Sequence, residues 1–245
     1  DWLRKFLRAS TGGLVAVVGD PGVGKSRLVD EFAAIAAGER VDVVTARCEA
    51  HTKTLAFHAL SRMLRAMFAV EGLSDADARD VTAAQYDGLL PPQSPDAQML
   101  FEAMSIAESD AEPLPATIDG RRRRLVEVMA QAALTRSTRT VFILEDAHWI
   151  DAPSDEVLSQ FAATLNVTTS TFVVTHRPEF HGGLHQSARH AITLAPLTGS
   201  TTASLVEQLL GDDPSLKSLA DRVPVAALGN PFFAEEIVRD LAGSG

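Results

Sequence analysis

One cysteine, Cys48, stands in 245 residues. An internal disulfide is therefore excluded, and no Cys/His spacing matches a zinc site, so a reducing cytoplasm is the expected compartment. Aromatic residues are scarce, at 6 % with a single Tyr, which leaves Leu, Val and Ala to fill the interior. The apolar share of 46 % and charged share of 22 % nonetheless match folded domains and argue against a disordered chain. Basic residues are outnumbered: 22 Lys plus Arg against 32 Asp plus Glu give a net charge of −10. That balance opposes a phosphate-backbone footprint, so no direct contact with nucleic acid is expected. No run approaches the roughly 18 apolar residues of a membrane span, and Asp1-Trp2-Leu3-Arg4-Lys5 lacks a signal-peptide pattern. A chain that starts and stops this abruptly is expected to be a fragment of something longer.

What is present alternates between two periods. The run Leu14 to Val18, after Gly12-Gly13, is short, apolar and unalternating, as a strand buried on both faces is. Further strands are expected over 41–46, 140–144, 171–175 and 191–194. Helical spacing appears in Trp2, Leu3, Phe6 and Leu7, in Leu28 to Ile35 before Gly38, across 57–70, and across 96–107. It returns from Asp119, read as a helix cap, through Leu125, Val128, Met129 and Ala132. Pro91, Pro92 and Pro95 exclude a continuous helix over 71–95 but leave room for shorter helices there, and the acidic stretch 108–117 reads as a surface loop. Strands alternating with helices predict an α/β sandwich with a mainly parallel sheet. Beyond Pro196 only helical patterns remain, over 201–210, 214–228 and 232–241. The expected division is thus 1–195 for the α/β unit and 196–245 for a small helical domain.

The run Gly19-Asp20-Pro21-Gly22-Val23-Gly24-Lys25-Ser26 sits between the first strand and the first amphipathic helix. Glycines at 19, 22 and 24 let the backbone bring its N–H groups to phosphate oxygens, and Lys25 is placed to reach the β- and γ-phosphates. Ser26 is expected to ligate Mg²⁺, while the helix start adds free N–H donors and a positive dipole end. With Pro21, Val23 and Arg27 this is the candidate cofactor-binding set, and it predicts a P-loop fold that binds nucleoside triphosphate.

The third expected strand carries Val141-Phe142-Ile143-Leu144 and ends in Glu145 and Asp146. Glu145 is read as the metal-side carboxylate and Asp146 as the group that orients or deprotonates the attacking water. Strand alternation sends the two to different faces. Asp151 reads as a helix cap rather than a chemical group. Arg177, after the strand 171–175, is a candidate for the γ-phosphate, or else a surface arginine paired to a neighbouring acid. His181 and His185 flank Gly182-Gly183 and make a poor metal pair. Arg121 to Arg124 reads as a solvated or ion-paired helix face. Trp149, Met63 and Met67 read as core.

Four segments in order resemble the STAND-class ATPases, in particular the AAA-type ATPase modules of bacterial LuxR-type regulators and multidomain adenylate cyclases. They are 19–29, the run Phe142 to Asp151, the run Val173 to Phe180, and Gly229-Asn230-Pro231-Phe232-Phe233-Ala234-Glu235-Glu236-Ile237-Val238-Arg239. The resemblance implies a signalling switch. ADP holds a closed monomer, ATP opens it to self-associate, and hydrolysis resets it, with covalently linked output domains, a cyclase or a DNA-binding domain, outside this chain. It implies that Arg177 is the first sensor arginine and that Pro231 packs on adenine from a helical lid. Glu145 stands where that pattern more often has Asp, and the Gly-Arg-Glu segment usual upstream of the first helix is not in this sequence. Slow ATP turnover is therefore expected. A binding module that holds ADP or ATP with little or no hydrolysis stays open beside it, and a small-molecule kinase is a distant third.

Overall fold

The computed structural model describes residues 7, 11–85, 91, 94–107, 117–136, 138–211 and 217–243. The helix expected over Trp2 to Leu7 lies outside these residues except for Leu7, and so does most of the acidic stretch 108–117. Five strands, β1 (Gly13–Val18), β2 (Asp42–Arg47), β3 (Thr140–Glu145), β4 (Thr171–His176) and β5 (His190–Thr193), form one wholly parallel sheet in the order β2-β3-β4-β1-β5. Parallel neighbours need crossovers, and here most of these are helical. They are α1 (Lys25–Gly38), then α2 (His58–Met67), α3 (Asp75–Gln85), α4 (Pro95–Ala103) and α5 (Ile118–Leu134), then α6 (Ala152–Thr164) and the short α7 (Gly183–Gln186). The expected α/β sandwich is borne out.

Strand alternation divides the core in two. Val141 and Ile143 of β3 face α1, joining Val29, Phe32 and Ala36, while Phe142 and Leu144 face the opposite layer of helices. β1, β3 and β4 are buried along their whole length, whereas β5 and half of β2 are exposed as edges. In the larger layer Phe142 meets Phe161 edge-on at 5.3 Å and stacks with Phe172 at 6.3 Å. Met63 and Met67 are fully buried there.

Several helices begin where a residue at their own N-terminus satisfies the first N–H groups. Ser94 caps α4 and Asp151 caps α6. Thr117, not Asp119, caps α5: its Oγ1 accepts from Gly120 N at 3.2 Å, and Asp119 sits inside the first turn instead. Arg121, Arg122 and Arg124 pair with Glu102, Glu156 and Asp96, so three of the four arginines of that run are ion-paired within the chain. After β5, Thr198 caps α8 (Gly199–Leu210), which packs with α9 (Lys217–Ala227) and α10 (Pro231–Gly243) around Val206, Val223, Ala227, Ala234 and Val238. Among the described residues, no helix is long and apolar enough to cross a membrane.

Candidate functional site

A wholly parallel sheet brings the ends of all its strands to one edge, where a doubly wound fold binds its ligands. Here that edge collects the loop 19–24 after β1, Asp146 after β3, Arg177 after β4 and Leu194 after β5. α1 starts at Lys25 with no capping side chain and no acidic residue in its first turn, so its N–H groups and dipole end face the edge uncompensated. Gly22 and Gly24 adopt φ of 79° and 99°, which a side chain would strain. Lys25 is 8 % exposed and donates from Nζ to the carbonyls of Gly19 at 2.8 Å and Asp20 at 2.9 Å. Burial lowers its pKa, and Asp146 pulls the other way.

The two carboxylates of β3 part company. Asp146 is left-handed (φ 56°, ψ 40°), and its N–H donates to Thr175 Oγ1 at 2.9 Å. This turn aims it at the sheet edge beside Lys25. Glu145 is 4 % exposed and stays on the α1 face, where the register of β2 and β3 sets it opposite Arg47. Arg47 Nη2 donates to its Oε1 at 2.9 Å, while its Oε2 is buried with no partner among the described residues.

Arg177 lies between an aromatic ring and a carboxylate. Its guanidinium lies 5.5 Å from the centre of the Trp149 ring and 3.9 Å from Glu179 Oε1, and it lines the cavity described below. Lys53 also sits over Trp149, at 5.6 Å, so this half-buried ring holds two cations rather than serving only as core. His176 is fully buried. Its Nδ1 lies 2.8 Å from the Arg177 carbonyl, and its Nε2 lies 3.2 Å from His185 Nδ1. The histidines pair with each other, and among the described residues no group of three or more His, Cys, Asp and Glu is disposed to hold a metal.

His148 is 9 % exposed, and neither ring nitrogen has a partner among the described residues. Burial, then Arg177, pushes its pKa down from 6.5 to about 4. The unfolded chain therefore takes the proton first, and stability falls as pH drops from 6.5 toward 4, levelling below. A His148→Phe variant is expected to lose less stability than wild type between about pH 7.5 and about pH 4.5, read from urea midpoints. Parallel losses in the two proteins would remove His148 as the cause.

A cavity of about 890 Å³ joins these parts. Its walls include every residue from Pro21 to Arg27, with Asp146 and Arg177 at the strand ends and Pro231 and Phe232 from α10. Of the residues singled out in the sequence, Gly19 lies behind the loop as a carbonyl partner of Lys25, and Glu145 is not on the wall. Thr201, Ser204, Leu205 and Gln208 of α8 also line it, as do Leu194 and Leu197. Sequence reasoning misses these, although the spacing of 201, 204, 205 and 208 marks one helix face. It misses Thr175 as well, because a threonine ending an apolar strand carries no signal of its own.

The family described as AAA ATPase domain matches residues 3–174. A protein of Rhizobium meliloti (strain 1021), described as uncharacterized protein R02095, is 27 % identical over 239 residues, or 94 % of this chain. The chain spans only 23 % of that relative's length. Among solved structures, the Aeropyrum pernix ORC1 protein in complex with DNA is similar, with a TM-score of 0.51 and 15 % identity over 97 % of this chain and 57 % of that one. A single-residue variant of Thermotoga maritima RuvB covers 97 % of this chain and 58 % of its own, with a TM-score of 0.47 and 12 % identity.

Proposed function

The chain belongs to the AAA ATPase domain family, and we propose that it binds ATP and ADP between the phosphate loop and a helical lid formed by 196–245, hydrolysing ATP slowly as a regulatory switch of the STAND class. One observation carries this reading: a single cavity has the loop 21–26 as one wall and Pro231 with Phe232 as the other. A triphosphate lying on the N–H groups of α1 would put its base near Pro231, so the phosphate content of the ligand and the position of the lid become linked. Arg177 would meet the γ-phosphate, giving up Trp149 and Glu179. The chain spans 23 % of the Rhizobium relative's length, which supports a module within a larger protein; covalently linked output domains and ATP-dependent self-association rest on the STAND resemblance. The Aeropyrum structure contains DNA, but the net charge of −10 argues against carrying that partner over to this chain.

Magnesium fits the residues present. Glu145 Oε2 is a buried carboxylate oxygen without a partner among the described residues, on the strand face that packs against α1, the helix carrying Ser26. Ser26 and Glu145 would hold the ion, which would supply charge neutralisation at the phosphates. The engagement of Glu145 Oε1 by Arg47 favours a second reading, tight binding with little turnover, because part of the metal-side carboxylate is already committed.

The test is nucleotide affinity of wild type and Lys25→Ala by calorimetry. Losing two or three charge-assisted contacts to phosphate is expected to weaken ATP binding by about 30-fold, equivalent to about 2 kcal/mol. Equal affinities would reject the site.

A further inference from the structure

The turn between α9 and α10 is fastened on two sides. Gly229 O accepts from Leu197 N at 2.7 Å, clipping the turn to the segment that leaves the sheet. Gly229 has φ of 78°, and a Cβ there would lie 2.4 Å from the Leu197 carbonyl, so only glycine fits. The next residue, Asn230, uses both ends of its amide. Its Oδ1 accepts from Phe232 N at 3.1 Å and Phe233 N at 3.4 Å, capping α10, while its Nδ2 donates to Pro21 O at 3.0 Å. Phe232 N also reaches Gly22 O at 3.4 Å. Space is matched as well: a Cβ on Gly22 would stand 2.6 Å from Asn230 Oδ1 and 3.0 Å from Phe232 Cβ.

We propose that Asn230 is a positioning residue that hooks the helical lid onto the phosphate loop, its Oδ1 ordering the start of α10 and its Nδ2 holding the Pro21 carbonyl. Pro231 and Phe232 follow it directly, so the hook sets where the lid wall of the cavity stands relative to the phosphate wall. A rearrangement of Pro21 and Gly22 around phosphate is thereby passed to α10 through the hook, beside any contact of the base with Pro231. The consequence for ligand release rests on the nucleotide reading of the cavity, whereas the hook itself does not.

The cap and the hook separate chemically. Asn230→Ser keeps a neutral capping oxygen but is too short to reach Pro21, Asn230→Asp keeps Oδ1 but has no donor, and Asn230→Ala loses both. Hydrogen exchange on the nucleotide-free chain is expected to show faster exchange over 19–24 in Ser and Asp variants, with α10 protected as in wild type. ADP release, followed with a fluorescent ADP analogue, is expected to be about 5-fold faster in both, the worth of one hydrogen bond of about 1 kcal/mol. Wild-type exchange over 19–24 and wild-type release in Ser and Asp variants would overturn the hook, and so would a loss confined to Asn230→Ala, which would leave a helix cap only. If wild type itself binds no nucleotide, the reading of the cavity fails, and the exchange result still decides the hook.

Discussion

Asp146→Asn is expected to release phosphate from ATP about 100-fold more slowly than wild type while binding ATP with similar affinity, the lower end of what a positioned general base contributes. Asparagine is the informative replacement because the position is left-handed, with φ of 56°. Asn tolerates that conformation better than other side chains do, and the backbone N–H keeps its bond to Thr175 Oγ1. Shape is conserved and basicity is lost. Single-turnover phosphate release beside calorimetric affinity separates the outcomes. Unchanged turnover would remove Asp146 from the chemistry, and weakened binding would make it a ligand-holding group. Wild type with no turnover above buffer would favour the binding module suggested by the Arg47–Glu145 pair.

Asp151→Ala is expected to cost about 4 kcal/mol of stability, without touching the cavity, because it strands several buried donors at about 1–3 kcal/mol each. Asp151 is 4 % exposed. Its Oδ1 accepts from Ser154 N at 2.9 Å, capping α6, and from Phe57 N at 2.8 Å. Its Oδ2 accepts from Ser154 Oγ at 2.7 Å and Ala59 N at 3.2 Å, and Ser154 Oγ in turn accepts from Leu60 N at 2.9 Å. One carboxylate therefore starts two helices, α6 and α2, and α2 has no cap of its own. A urea midpoint lowered at unchanged slope is the expected result. A loss below about 1 kcal/mol would mean that these N–H groups find other acceptors.

The fold is legible because its signals are contiguous. Unalternating runs such as Val141 to Leu144 mark strands buried on both faces, and 3.6-residue spacing in Leu28 to Ile35 marks the helix after the loop. α3 is not legible, because its buried residues are only Ala78 and Thr82, too few to give a period. Asp119 and Thr117 compete as the cap of α5, since both residue types cap helices, and only the position of the first turn decides for Thr117.

Local spacings with local physical demands were enough to mark the glycine-rich loop after β1, the strand bearing the acidic pair, the strand before Arg177 and the Gly-Asn-Pro turn. Tertiary structure alone decided how they are used. Register between β2 and β3 set Arg47 on Glu145, and a left-handed turn sent Asp146 toward Lys25 instead. The missing cap of α2 came from Asp151, 94 residues beyond Phe57, and Asn230 found Pro21 across 209 residues. Contacts of that separation leave no periodicity in the chain. They are fixed only when the packing of the sheet, its helices and the three helices after β5 brings donor to acceptor.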